Sequence, residues 1–137
     1  MNGEVEKKKG IEELLKYLTD KNIKKAVATS SNREIAYKLL KDAGIYDYYD
    51  YILCGDEVKK SKPNPEVFLR VAEKLDIPAN QCMVLEDSEA GTIAASRAKM
   101  TPVIIPDLKN PSEDIEKLAF KKLNNLEEVI NLIEDSF

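Results

Sequence analysis

Four short apolar runs, "IKKAVATS", "YDYILCGD", "CMVLED" and "PVIIPD", alternate with stretches of helical period, and this alternation constrains the chain more than any other feature. Runs of this length, rich in β-branched residues and followed by polar or turn residues, read as buried strands. The intervening segments read as helices. Repeated strand-helix units of this kind predict an α/β fold with a mainly parallel sheet, because parallel neighbours need a crossover and a helix is the usual one.

The helical segments carry their own start and stop signals. "IEELLKYLTDKN" places Ile11, Leu14, Leu15 and Leu18 on one stripe. In "SNREIAYKLLKDAG", Ser31 with Glu34 fits a capping box, Ile35, Leu39 and Leu40 point inward, and Gly44 ends the helix. "PNPEVF" opens a third helix, with Asn64 as cap, Pro65 in the first turn and Val67, Phe68, Val71, Ala72 and Leu75 as the buried face. "SEAGTIAASRAK" is a small-residue helix capped by Ser88. Ser112 and Asn125 are caps in the closing tail, where Leu126, Val129, Ile130 and Ile133 recur at helical spacing.

With 137 residues, 43% hydrophobic and 34% charged, the chain is expected to form one domain over residues 1–137 with a single core. Its net charge of -4 gives no general attraction to nucleic acid or to an anionic membrane surface. No apolar run approaches the roughly 20 residues that span a bilayer, and "MNGEVEKKKG" has no signal-like apolar segment, so the chain reads as cytoplasmic. Cys54 and Cys82 lie in apolar runs without C-x-x-C spacing, and histidine is absent, which sets zinc and Cys-His catalysis aside. Both cysteines read as reduced core residues.

Ligands of an open parallel sheet bind outside the carboxyl ends of its strands. The residues expected there are Thr29, Ser30 and Ser31, then Asp56 and the basic turn to Lys62, then Glu86, Asp87 and Ser88. Taken singly, the hydroxyl residues read as a helix cap, Lys59 and Lys60 as solvated surface, and Asp56 as a turn residue. Adjacent carboxylates at Glu86 and Asp87 are harder to dismiss, since they repel and call for a counter-charge. Hydroxyls, an ammonium and a carboxylate pair together suit phosphoryl chemistry, with Mg²⁺ bridging phosphate and protein charge.

These residues resemble the haloacid dehalogenase superfamily of phosphohydrolases, most closely its β-phosphoglucomutase-like branch (subfamily IA). "VATSS" matches the family's second motif, "KSKPNPEVF" the third and "VLEDSEAG" the fourth, in that order. The resemblance runs from about Gly10 onward and implies a Rossmann-like three-layer sandwich. It implies that Thr29 and the backbone at Ser30 hold the transferring phosphoryl group, that Lys62 neutralises it and orients the nucleophile, and that Glu86 and Asp87 hold Mg²⁺. The implied substrate is a small phosphorylated metabolite, such as a sugar phosphate, attacked through an aspartyl-phosphate.

The family's first motif, an Asp-x-Asp pair that supplies nucleophile and general acid-base, does not occur in these 137 residues. The chain therefore looks like the C-terminal part of such a core, without the family's central first strand or its cap domain, and by itself inactive. The missing strand is expected between those ending at Thr29 and Glu86. These are then expected to close on each other, to accept a strand from another chain, or to leave edges that favour self-association. Residues 3–8, with Val5 their one large apolar side chain, make a poor substitute. A catalytically inactive member of the family, kept for phosphate, metal or partner binding, shares every feature above. Receiver domains of signalling systems also gather acids, a hydroxyl and Lys-Pro at strand ends, but place the acids first and Lys-Pro last; here the order is hydroxyl, lysine, acids. No G-x-G-x-x-G follows any strand, which argues against a dinucleotide-binding unit.

Overall fold

The computed structural model of the chain describes residues 10–106 and 111–136. The segment at residues 3–8 and Asp107, the last residue of the fourth expected strand, lie outside the described residues. The elements follow in the order α1 (Ile11–Asp20), β1 (Ala26–Ala28), α2 (Arg33–Asp42), β2 (Tyr51–Leu53), α3 (Glu66–Leu75), β3 (Met83–Glu86), α4 (Glu89–Arg97), β4 (Thr101–Ile104), α5 (Glu113–Glu116), β5 (Lys121–Lys122) and α6 (Glu127–Ser136). Among the described residues no helix is long and apolar enough to cross a membrane.

All strand pairings are parallel, as the alternation predicts. They form two small sheets rather than one. β1 pairs with β2 in the register Ala26 to Tyr51, Val27 to Ile52 and Ala28 to Leu53, and pairs with no other described strand. β3 pairs with β4, Met83 opposite Thr101 through Glu86 opposite Ile104, and β4 pairs in turn with β5. No described strand takes the second edge of either β1 or β3. Of the three outcomes expected for these edges, direct closure is not seen among the described residues.

The chain divides into two compact units, Met1–Glu57 with Asn125–Phe137, and Val58–Asn124. In the first, Leu15, Ala36, Leu40, Ile45, Ile52 and Cys54 form the core, with Tyr37, Tyr46, Tyr48 and Tyr49 packed around it. Leu14 and Leu15 are the fully buried residues of α1, whose Tyr17 hydroxyl donates to Glu134 of α6 at 2.7 Å. Burial of these apolar side chains, at about 25 cal/mol per Å² removed from water, is the main term favouring the unit.

In the second unit α3 buries Val67, Phe68, Ala72 and Leu75, four of the five residues its spacing selects, and Val71 stays half-buried. α4 buries Gly91, Thr92, Ala94 and Ala95. Side chains this small let a helix approach strands closely, and β4 beneath it buries Pro102, Val103 and Ile104. Cys54 is fully buried and Cys82 half-buried, both as free thiols, so only Cys54 is a core residue in full.

Two expectations for α2 are corrected. The cap is Asn32, whose side-chain oxygen accepts from the Ile35 amide at 2.9 Å, and not Ser31. Ser31 is engaged elsewhere: its amide donates to the Thr29 hydroxyl oxygen at 3.2 Å and its carbonyl accepts from the Gly55 amide at 2.8 Å. The buried stripe of the helix runs through Ala36 and Leu40, an i, i+4 pair, while Ile35 is 51% exposed. The helix stops where expected, with the Gly44 and Ile45 amides bonding back to Lys41 and Leu40.

Pro65 takes the N-cap position of α3, and Asn64 just before it accepts from the Glu66 amide at 2.9 Å, while Ser88, Ser112 and Asn125 cap α4, α5 and α6 as expected. In α6 the buried residues are Val129 and Leu132, with Leu126 buried just before it, while Ile130 and Ile133 are half-buried. Because Asn32 satisfies an otherwise orphaned helix amide, Asn32→Ala is expected to lower stability by about 1 kcal/mol in urea unfolding. Ser31→Ala should cost less than half as much, and the reverse ranking would restore the capping box.

Candidate functional site

β3 runs directly into α4, and the corner between them is built around one carboxylate. Glu86 ends the strand, and its Oε1 accepts from the Asp87 amide at 3.2 Å, the Ser88 amide at 3.3 Å and the Ser88 hydroxyl at 3.0 Å. The same Ser88 oxygen accepts from the Gly91 amide at 3.0 Å as the helix cap. Ser88 therefore links strand end to helix start, donating outward to the acid and accepting inward from the helix. Negative charge at a helix N-terminus is also favoured by the peptide dipoles.

The other carboxylate oxygen, Oε2, meets the Lys62 ammonium at 3.1 Å. The Glu86 side chain is 10% exposed and that of Lys62 26%, so the pair is screened less than a surface ion pair. The Lys62 ammonium also stands 5.2 Å from the centre of the buried Phe68 ring. An ammonium near an aromatic face is attracted by its quadrupole, and a ring on α3 gives the ammonium a fixed seat.

The basic turn before Lys62 is ordered by Glu66. Its carboxylate accepts from the Lys59 amide at 3.1 Å and the Lys60 amide at 3.0 Å, and Arg70 approaches it at 3.4 Å. The Lys59 amide first among these contacts, with Lys60 and Arg70, holds the Glu66 carboxyl below its ordinary range against a smaller opposing effect of burial. The side chains of Lys59 and Lys60 are exposed, as expected.

Gly91 is the tightest point of the corner. A Cβ there would collide with the carboxyl group of Glu86, so the first turn of α4 admits no side chain at this position while Glu86 keeps its place. Asp87, the second acid, is exposed beside it.

Thr29 and Ser30 follow β1 in the other unit. The Thr29 amide continues the ladder to Leu53 at 2.9 Å, and its hydroxyl oxygen accepts from the Ser31 amide, which leaves the hydroxyl proton for donation. Gly55 lies hard against the Ser30 carbonyl, where a Cβ would clash, so the loop after β1 and the turn after β2 form one packed layer. Asp56 sits in that turn with Cys54 and Glu57, the three offering ligand atoms within 4.8 Å of one another. Their contacts favour a structural role. Glu57 accepts from the Cys54 amide at 2.8 Å and the Tyr51 hydroxyl at 3.2 Å, and burial, aided by Glu57 and Asp56, pushes the Cys54 thiol up to about 11. A thiol protonated at neutral pH is a poor metal ligand.

The structure thus brings Lys62 and Glu86 into contact with Asp87 alongside, and it shows three groups that the sequence does not single out for the site. Phe68 is visible in the sequence only as a core residue, while Ser88, expected both at the rim and as a cap, fills both places. Glu66 and Gly91 stand next to motif residues, but their contacts depend on a turn and a corner that spacing does not reveal.

The second unit is thus a parallel α/β arrangement with a lysine-carboxylate pair at the carboxyl end of a strand. The profile of the haloacid dehalogenase-like hydrolases matches residues 1–105, and the chain belongs to that family. It is 32% identical over 128 residues to the phosphorylated carbohydrates phosphatase of Thermotoga maritima, covering 92% of this chain and 59% of that protein. A Thermotoga maritima structure described as a candidate β-phosphoglucomutase superposes with a TM-score of 0.85 at 30% identity, over 94% of this chain and 60% of the other. CbbY from Rhodobacter sphaeroides, solved in complex with phosphate, gives 0.80 at 28% identity, over 89% and 55%. Its neighbours place the fold among the Rossmann-like α/β folds of the β-phosphoglucomutase-like branch. The chain spans about half the length of the curated relatives it matches.

Gly91→Ala is expected to push Glu86 out of its corner and to cost about 1–3 kcal/mol, as overpacking does, in thermal or urea unfolding. Ala90→Gly, one residue away on the same helix, should cost no more than about 1 kcal/mol.

Proposed function

We propose that the chain forms the phosphate- and metal-holding part of a Mg²⁺-dependent phosphatase or phosphomutase that acts on small phosphorylated carbohydrates. The observation that carries this reading is the half-buried Lys62 ammonium, 3.1 Å from Glu86 at the carboxyl end of β3. A lysine held this way is a fixed positive charge beside two carboxylates, the arrangement from which a phosphoryl group and a cation can be held together. The phosphorylated-carbohydrate phosphatase and the phosphate complex among its relatives support the substrate class.

In this reading Lys62 neutralises the phosphoryl oxygens and Thr29 donates its hydroxyl proton to one of them, with the Ser30 amide beside it. Glu86 and Asp87 fit Mg²⁺, being hard oxygen donors on adjacent residues, with Glu86 already oriented toward a cation. When bound, Mg²⁺ offsets charge between the phosphoryl group and the two acids. Among the described residues β1 and β3 each pair on one side only, which favours self-association through a strand edge. The nucleophile of an aspartyl-phosphate route would be an aspartate of the family's first motif, which this sequence does not contain. A second reading, phosphate or metal binding without turnover, is favoured by that one observation.

Two assays separate the readings. The 137-residue chain alone is expected to release no phosphate from a sugar phosphate or an aryl phosphate with Mg²⁺ present, and robust turnover would overturn the dependence on a supplied aspartate. In a protein carrying the family's Asp-x-Asp together with this chain, Lys62→Ala and Asp87→Asn should each lower kcat/KM by about a hundred- to a thousandfold. Lys59→Ala should leave it unchanged. Wild-type rates in either site variant would remove the proposed roles.

A further inference from the structure

The two oxygens of Glu86 are not equivalent. Oε1 accepts three donors that all belong to the β3-α4 corner, two amides and the Ser88 hydroxyl, and so is fixed by the local backbone. Oε2 accepts instead from the ammonium of Lys62, which arrives from a different segment on a flexible stem. A divalent cation approaching Glu86 meets a carboxylate whose second oxygen is already paired with an ammonium. Two cations on one oxygen would stand only a few ångströms apart, and at that range in a half-buried site their repulsion far exceeds thermal energy.

We propose that Lys62 is an internal counter-cation that competes with the divalent metal for Glu86 Oε2, so that metal binding displaces the ammonium and frees it for phosphate. This inference rests on the reading of Glu86 and Asp87 as metal-holding residues. Lys62 and the metal then act in sequence. In the metal-free chain the ion pair keeps Glu86 oriented and the lysine neutralised. In the metal-bound chain the ammonium, still seated near the Phe68 ring, has lost its anion and gains affinity for another. The arrangement couples the two ligands: metal should raise affinity for phosphate, and phosphate should raise affinity for metal by the same factor.

The test is a titration of the 137-residue chain with Mn²⁺, following the free ion by electron paramagnetic resonance. Lys62→Met is expected to tighten Mn²⁺ binding by about tenfold, because the competitor is removed. Lys59→Met removes the same charge from the exposed part of the turn and should change it by less than about twofold. The gain from Lys62→Met should vanish in a Glu86→Gln background. Lys62→Gln carries the same expectation should the Met variant fail to fold. A gain no larger than that of Lys59→Met, or one that persists with Glu86→Gln, would show a diffuse field effect and overturn the competition. A different result strikes the site reading itself: no saturable Mn²⁺ binding, or binding unchanged by Asp87→Asn, would mean that these acids hold no metal at all.

Discussion

The carboxylate of Glu86 is the point on which the rest of the second unit's chemistry depends. It ends a strand, faces the start of a helix, fixes the hydroxyl that caps that helix and anchors the lysine that precedes α3, the helix before that strand. A half-buried acid would ordinarily be costly. Here two amides, a hydroxyl and an ammonium stabilise its charge, and the absence of a side chain at Gly91 makes the room. Charge, cap and packing are therefore one arrangement rather than three.

This arrangement answers the electrostatic problem of two adjacent acids differently from the way the sequence frames it. The resemblance implies that the pair waits for a metal. The structure shows that one member is already neutralised from within the chain, by a lysine 24 residues upstream. The two acids are thus unlike in kind. Glu86 is largely buried and held by the corner and by Lys62, whereas Asp87 is exposed.

Much of the fold is legible in the sequence because its strands are short, apolar and β-branched, and its helices carry recognisable caps. Ser88, Ser112 and Asn125 all cap as their positions suggest. The misreading at α2 has a local cause: Ser30, Ser31 and Asn32 are three capping residues in a row, and the choice among them is made by Gly55, far along the chain, whose amide takes the Ser31 carbonyl. β5 escapes detection because Lys121 and Lys122 are both exposed and join the sheet through backbone alone. In the site, residue types and order mark Lys62, Glu86 and Asp87. Which of them touch is a matter of tertiary placement, and spacing along the chain carries no trace of it.

The clamp that Glu66 places on the Lys59 and Lys60 amides has a consequence for how the segment can change in length. Both ends of the stretch from Lys59 to Phe68 are tied down, one by that carboxylate and the other by a ring buried in α3. An added or deleted residue inside it would shift the ammonium relative to both ties, whereas one added before Lys59 would be taken up by the loop and leave the ammonium where it is. The stretch thus works as a ruler of fixed length, and variation in this part of the chain should gather on its upstream side.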